Sequence, residues 1–248
     1  MKASHSNMRI LALSLILFCS APALAGPPYV TDDPQPTDYH QFEIYLFNGG
    51  TNTRDGTSGA TGIDFNYGGA RDLQLTAVLP LTFDDPNTGA TATGIGNIEL
   101  AAKYKFLHQD DSGLDVAFFP RLFLPAISAN AGKNHFSLLL PLFVGKSWDD
   151  WSTFGGGGCT INHGGGSQNF CQTGWTVTRQ FTPKLNIGVE IYHETANTIG
   201  GKATTGLDVG AVYEINEIFH LMARVGPGIQ NAADTNRYAW YVALLSTF

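Results

Sequence analysis

The chain is short of the groups that most enzymes and most membrane anchors need. Beyond residue 25 no apolar run approaches the roughly 20 residues of a membrane-spanning helix, and helical periodicity is almost absent. Bases are few: 14 Lys+Arg stand against 21 Asp+Glu. Without residues 1–25, which hold Lys2, Arg9 and no acid, the balance is 12 against 21, a net charge near −9. That excludes nucleic acid as a partner, because phosphate binding needs a basic footprint. Neither Gly-x-Ser-x-Gly nor His-Glu-x-x-His occurs, so no catalytic residue is assigned from a motif. Cysteine is scarce too. Cys159 and Cys171, with His163 between them, are too few ligands for a metal site, and nothing in the chain asks for a cofactor.

What the sequence has is glycine, 29 residues of it, and alternation. Residues 1–9 are basic, 10–18 are apolar but for Ser14, and Ala23-Leu24-Ala25 precedes Gly26. This is the pattern of a cleaved secretory signal peptide over 1–25. Cys19 raises a lipoprotein alternative, but Phe18 before it is too large for lipid-attachment cleavage. Residues 26–38 carry four prolines, which cannot join a ladder, and read as an extended periplasmic arm. From 39 to 248 twelve strand-like segments follow, at roughly 39–50, 59–68, 71–84, 94–108, 113–125, 134–148, 151–157, 170–181, 184–194, 204–215, 218–228 and 237–248.

Long connections such as NTRDGTSGA, AISANAGKN and TANTIGGKATT alternate with short ones at Gly69-Ala70, Asp149-Asp150 and Thr182-Pro183. The pattern predicts an all-β fold: a transmembrane antiparallel β-barrel of about twelve strands, with long outer loops, short periplasmic turns and both termini in the periplasm. The faces agree. Leu73, Leu75, Ala77, Leu79, Leu81 and Phe83 share one side of a strand opposite Asp72, Gln74, Thr76 and Thr82. The last segment alternates Tyr238, Trp240, Val242, Leu244, Ser246 and Phe248 against small and apolar residues. A strand closing on Phe248 suggests a partner in the barrel-assembly machinery, with outer-membrane lipid around the wall.

Three stretches support a resemblance: the opening Pro28-Tyr29-Val30-Thr31-Asp32-Asp33-Pro34, the turn-strand YGGARDLQLTAVLP, and Gly94-Ile95-Gly96-Asn97-Ile98-Glu99-Leu100 followed by Lys103-Tyr104. Together they resemble the outer-membrane, transporter-like family labelled for the meta-pathway of phenol degradation. The resemblance covers about the first 110 residues well and implies an outer-membrane barrel. It supplies no catalytic residue and no substrate.

The inward faces collect charges of both signs, and ten residues are candidates for the lumen: Glu43, Asp64, Glu99, Lys103, Lys105, Arg121, Glu190, Asp208, Glu214 and Arg224. They either pair to fill a closed barrel or line a polar path for a small solute. Twelve strands lie between a filled eight-stranded barrel and an open sixteen-stranded one. Cys159 and Cys171 flank a Gly-rich loop and should be bonded after export, since they meet an oxidising compartment as a pair. Six histidines follow residue 25; His135 precedes Ser137 by two residues, which keeps a lipid-modifying enzyme as an alternative. The favoured expectation is an outer-membrane channel or uptake protein for a small-molecule solute, aromatic or apolar, with an enzyme or a structural barrel as alternatives.

Overall fold

The structure, a computed structural model, describes residues 28–128 and 132–248. The expected signal peptide over 1–25 and the first two residues of the arm lie outside these. Twelve spanning strands follow the arm: β1 (Phe42–Asn52), β2 (Gly56–Ala70), β3 (Leu73–Pro86), β4 (Ala92–Ile95 and Glu99–Leu107), β5 (Asp115–Phe118 and Arg121–Phe123), β6 (Ser137–Trp148), β7 (Trp151–Asn162), β8 (Phe170–Thr182), β9 (Leu185–Glu194), β10 (Thr204–Glu214), β11 (Phe219–Gly226 and Gly228–Gln230) and β12 (Tyr238–Thr247). Two four-residue helical turns, α1 (Gln109–Ser112) and α2 (Ala232–Thr235), sit in connections. Each strand pairs antiparallel with its sequence neighbour, and β12 returns to β1 in register from Glu43↔Thr247 to Asn52↔Tyr238. The sheet is therefore a closed barrel with no free edge, the one sheet form that satisfies its backbone in lipid.

Three strands are broken, each for a chemical reason. Pro120 in β5 and Pro227 in β11 lack the N–H that a ladder needs. In β4, Asn97 leaves the ladder to tie Leu124 to Lys133: its amide donates to Leu124 O (2.6 Å) and Lys133 O (2.9 Å), and its Oδ1 accepts from Lys133 N (2.8 Å). Alternation divides the walls. Leu46, Ile63, Leu79, Leu100, Leu142, Val189 and Val209 face outward and are exposed, as a lipid-facing wall requires. Between β12 and β3 this wall is concave, an apolar groove of about 580 Å³ edged by Leu46, Ile63, Leu79 and Leu244.

Two sequence expectations are corrected. The Gly-rich stretch expected to open a loop at 158 continues as strand, because its glycines allow close neighbours: a Cβ on Gly155 would lie 2.1 Å from the Trp175 ring, and one on Gly158 2.3 Å from Leu140 O. Cys159 and Cys171 consequently face each other inside the β7–β8 ladder, bonded on the outward face, instead of closing a loop at its base. The stretch NTRDGTSGA is mostly ladder as well, with Asn52 opposite Thr57, leaving only 53–55 as the connection. On the other rim, the short connection between the segments at 94–108 and 113–125 is filled by α1.

Candidate functional site: an occupied lumen

The arm lies inside the barrel. From Asp38, beside Gly68 of β2, it crosses the lumen to Tyr29, beside Gly188 of β9 and Gly210 of β10. Thr31, Pro34 and Thr37 are buried in it. The wall has been cut to admit it: a Cβ on Gly188 would lie 2.4 Å from the Tyr29 hydroxyl, one on Gly210 2.6 Å from the Tyr29 ring, one on Gly174 2.0 Å from Thr31 Oγ1, and one on Gly145 2.9 Å from Pro34. No methyl group fits at these positions without displacing the arm.

Polar contacts hold it in place. Lys103, fully buried on β4, donates to Asp32 Oδ1 (2.9 Å) and Gln35 O (3.0 Å), with Asp33 at 3.9 Å and the Phe119 ring centroid at 4.9 Å. Lys105 donates to Gln35 Oε1 (2.8 Å), and Gln35 Nε2 donates to Asp115 (2.9 Å). Across the lumen, Glu190 accepts from the backbone N–H groups of Val30 (2.9 Å) and Thr31 (2.6 Å). Near the arm's exit, Gln74 accepts from Thr37 N (2.9 Å) and donates to Asn66 (2.7 Å).

The remaining candidates pair within the wall. Arg121 grips Glu99 with two hydrogen bonds of 2.6 and 2.9 Å. Arg224 pairs with Asp208. Tyr45 donates to Glu43 (2.9 Å), and Asn66 donates to Asp64 (2.9 Å). Glu214 stands apart at the rim end of β10, opposite His220. So Lys103, Lys105 and Glu190 meet the arm, while Glu99, Arg121, Asp208 and Arg224 form two wall pairs.

Charged residues are only part of what lines the interior. Tyr45, Met222, Ala243 and Leu245 form a buried inward cluster, with Phe47, Val212 and Tyr241 packed against it. The lumen is thus two-sided, with an apolar stripe on β10–β12 and β1 and a polar wall elsewhere. The apolar stripe was hidden in the sequence because β12 is apolar on both faces. In the sequence nothing marks the arm's own Asp32, Asp33 and Gln35 as partners of the wall.

At the mouth opposite the termini, His135 Nε2 lies 2.6 Å from Asn162 Oδ1. Ser137 is buried and inward, and among the described residues no hydrogen bond joins it to His135.

A closed, lipid-walled antiparallel barrel with an occupied lumen is the architecture of bacterial outer-membrane proteins. The chain belongs to the family described as "Putative MetA-pathway of phenol degradation", whose model matches residues 30–239. Among solved structures it is similar to the COG4313 outer membrane channel from Pseudomonas putida F1, with 15% identity, a TM-score of 0.68, and coverage of 86% of this chain and 97% of that one. It is similar also to the NanC porin (11% identity, TM-score 0.58, 82% and 98% covered) and to the KdgM porin (11%, 0.55, 84% and 99%). No curated protein matches.

Proposed function

We propose that the protein is an outer-membrane channel for small aromatic or apolar molecules, closed at rest by its own N-terminal arm. One observation carries the reading. The lumen is filled by a tethered peptide held largely through hydrogen bonds and ion pairs, a filling that can leave without unfolding the wall. The apolar stripe of Tyr45, Phe47, Met222, Tyr241 and Leu245 supports an apolar solute, since such a solute could slide along it once the arm moves. Membership of the family and the similarity to the channel and porins above support the same class.

In this reading residues 1–25 are a signal peptide removed on export, 26–38 are the gate, and 39–248 are the barrel. The rim with the termini faces the periplasm. The closing seam, where Phe42 and Phe248 exchange backbone hydrogen bonds of 2.9 and 3.0 Å, is the segment offered to the barrel-assembly machinery. No catalysis belongs to the proposal.

The test is single-channel recording in planar bilayers, together with liposome uptake of a small phenol. The chain lacking 28–38 should conduct and admit the phenol severalfold more than the full chain. Equal, negligible conductance and uptake in both would sink the channel. A second reading, a lipid hydrolase, draws on the His135–Asn162 contact with Ser137 two residues away. Labelling of Ser137 by a fluorophosphonate, abolished by His135→Ala, would support it; the channel reading expects no label.

A further inference from the structure

Charge is rare on the outward wall, and its two cations stand together. Among the described residues, Lys146 on β6 and Arg179 on β8 are the only Lys or Arg side chains at outward-facing strand positions, and both are exposed. Among the described residues neither has an ion-pair partner. Aromatic rings surround them. Arg179 is opposite Trp151 in the ladder, and Trp151 is opposite Trp148. The guanidinium lies 5.2 Å from the Trp151 ring and 5.3 Å from that of Phe181. Lys146 sits one row further from the rim, opposite Thr153, which accepts from Trp175 Nε1 (2.8 Å). Trp148 and Trp151 are 44% and 39% exposed, and among the described residues their indole N–H groups have no protein acceptor.

The depth of the patch fixes its chemistry. Asp149 and Asp150 form the turn between β6 and β7 on the water side of the Trp148–Trp151 row. Rows two residues apart on a strand tilted about 40° differ in height by about 5 Å. Both cations therefore lie within about 10 Å of the rim, at headgroup level. A cation costs about 2–4 kcal/mol at mid-bilayer but little here. What the wall presents is two unpaired positive charges and two free indole N–H donors, above which Leu142, Val144, Val177 and Val189 continue the apolar surface. A phosphodiester with net negative charge and two acyl chains satisfies all of these.

We propose that this patch binds an anionic phospholipid of the phosphatidylglycerol type, its phosphate between Lys146 and Arg179 and its chains along β6 to β9. On the orientation proposed above, that lipid belongs to the inner leaflet. The inference does not need the lumen to conduct, and the test below does not need the orientation.

Three of the four tryptophans belong to the patch, so W240F leaves fluorescence that reports it alone. The full W240F protein is reconstituted in phosphatidylcholine vesicles carrying brominated phosphatidylglycerol or, separately, brominated phosphatidylcholine. Quenching by the anionic lipid should half-saturate at about a fivefold lower mole fraction, the effect of about one surface cation's attraction. K146Q combined with R179Q should bring the two lipids to parity, and R179K should keep part of the preference. Heat-modifiable gel mobility checks that each variant is folded. If the double variant does not fold, K146Q and R179Q alone should each lose part of the preference. Equal quenching by both lipids in the starting protein, or a preference that survives loss of the cations, overturns the proposal.

Discussion

Lys103 is the side chain on which the arm's acids converge, and it is wholly withdrawn from solvent. Removing one partner of a buried ion pair leaves the other charge uncompensated, at a cost of about 3–5 kcal/mol. Lys103→Met should lower the unfolding free energy toward that range in urea titration, or release the arm and limit the loss. Release would appear as raised single-channel conductance, and an unchanged midpoint with unchanged conductance would contradict the contact. Gly210→Val asks the same question sterically. Its side chain meets the Tyr29 ring, so the arm should be displaced while the barrel keeps its folded gel mobility. The expected result is conductance close to that of the arm deletion.

At the level of elements, the connections on the rim away from the termini are tied to one another by a small charge cluster. Asp234, within α2, pairs with Lys202 at 2.5 Å and Arg54 at 2.6 Å. The hydrogen bond from Lys202 comes first, with Arg54 and Lys202 charges adding, in holding the Asp234 carboxyl below its ordinary value. A carboxyl so depressed contributes stability that is present above its unfolded pKa and is lost as pH falls through its folded one. Docking between the connections 53–55, 195–203 and 231–237 should therefore persist at neutral pH and loosen below the usual aspartate range. The amides of Arg54 and Arg237, bonded to Ala233 O and Asn52 O, report it in hydrogen exchange corrected for intrinsic rates. Asp234→Asn should exchange at neutral pH as the unaltered chain does in acid; equal protection of the two at neutral pH would remove the cluster from the account.

For the whole molecule, strand number and closure were legible because period-two alternation runs through most strands, while the register over 113–157 was not, because Pro120 and Pro141 interrupt the pattern there. What escaped was anything that depends on two distant segments meeting. The Gly-rich stretch expected to leave the ladder at 158 continues as strand because Gly155 lies under the Trp175 ring and Gly158 against Leu140, partners that appear only once strands pair. The charged candidates were readable as inward positions, but their partners were not. Glu190 is satisfied by backbone 160 and 159 residues away, and Lys103 by Asp32. The cysteines show the same division: pairing followed from their number, while their place in the ladder did not. Because that disulfide faces outward, reducing it should leave conductance unaltered. The unfolding free energy should fall by up to about 3 kcal/mol, the chain-entropy value for a loop of this size. A large conductance change on reduction would place the bond in the gate.

The arm is joined to β1 through residues 39–41 alone, and this makes the occupant of the lumen an intramolecular ligand. A solute entering from outside competes with a peptide whose effective concentration is set by its tether, not by dilution, and which for a short linker is in the millimolar range. Its apparent affinity is its intrinsic affinity reduced by the fraction of time the arm is out. Import through such a barrel should saturate with a half-point weaker than the solute's binding to an arm-less barrel, by that same factor. Lengthening the tether with Gly-Ser repeats should narrow the gap between the two values in a graded way, without touching a single residue of the wall.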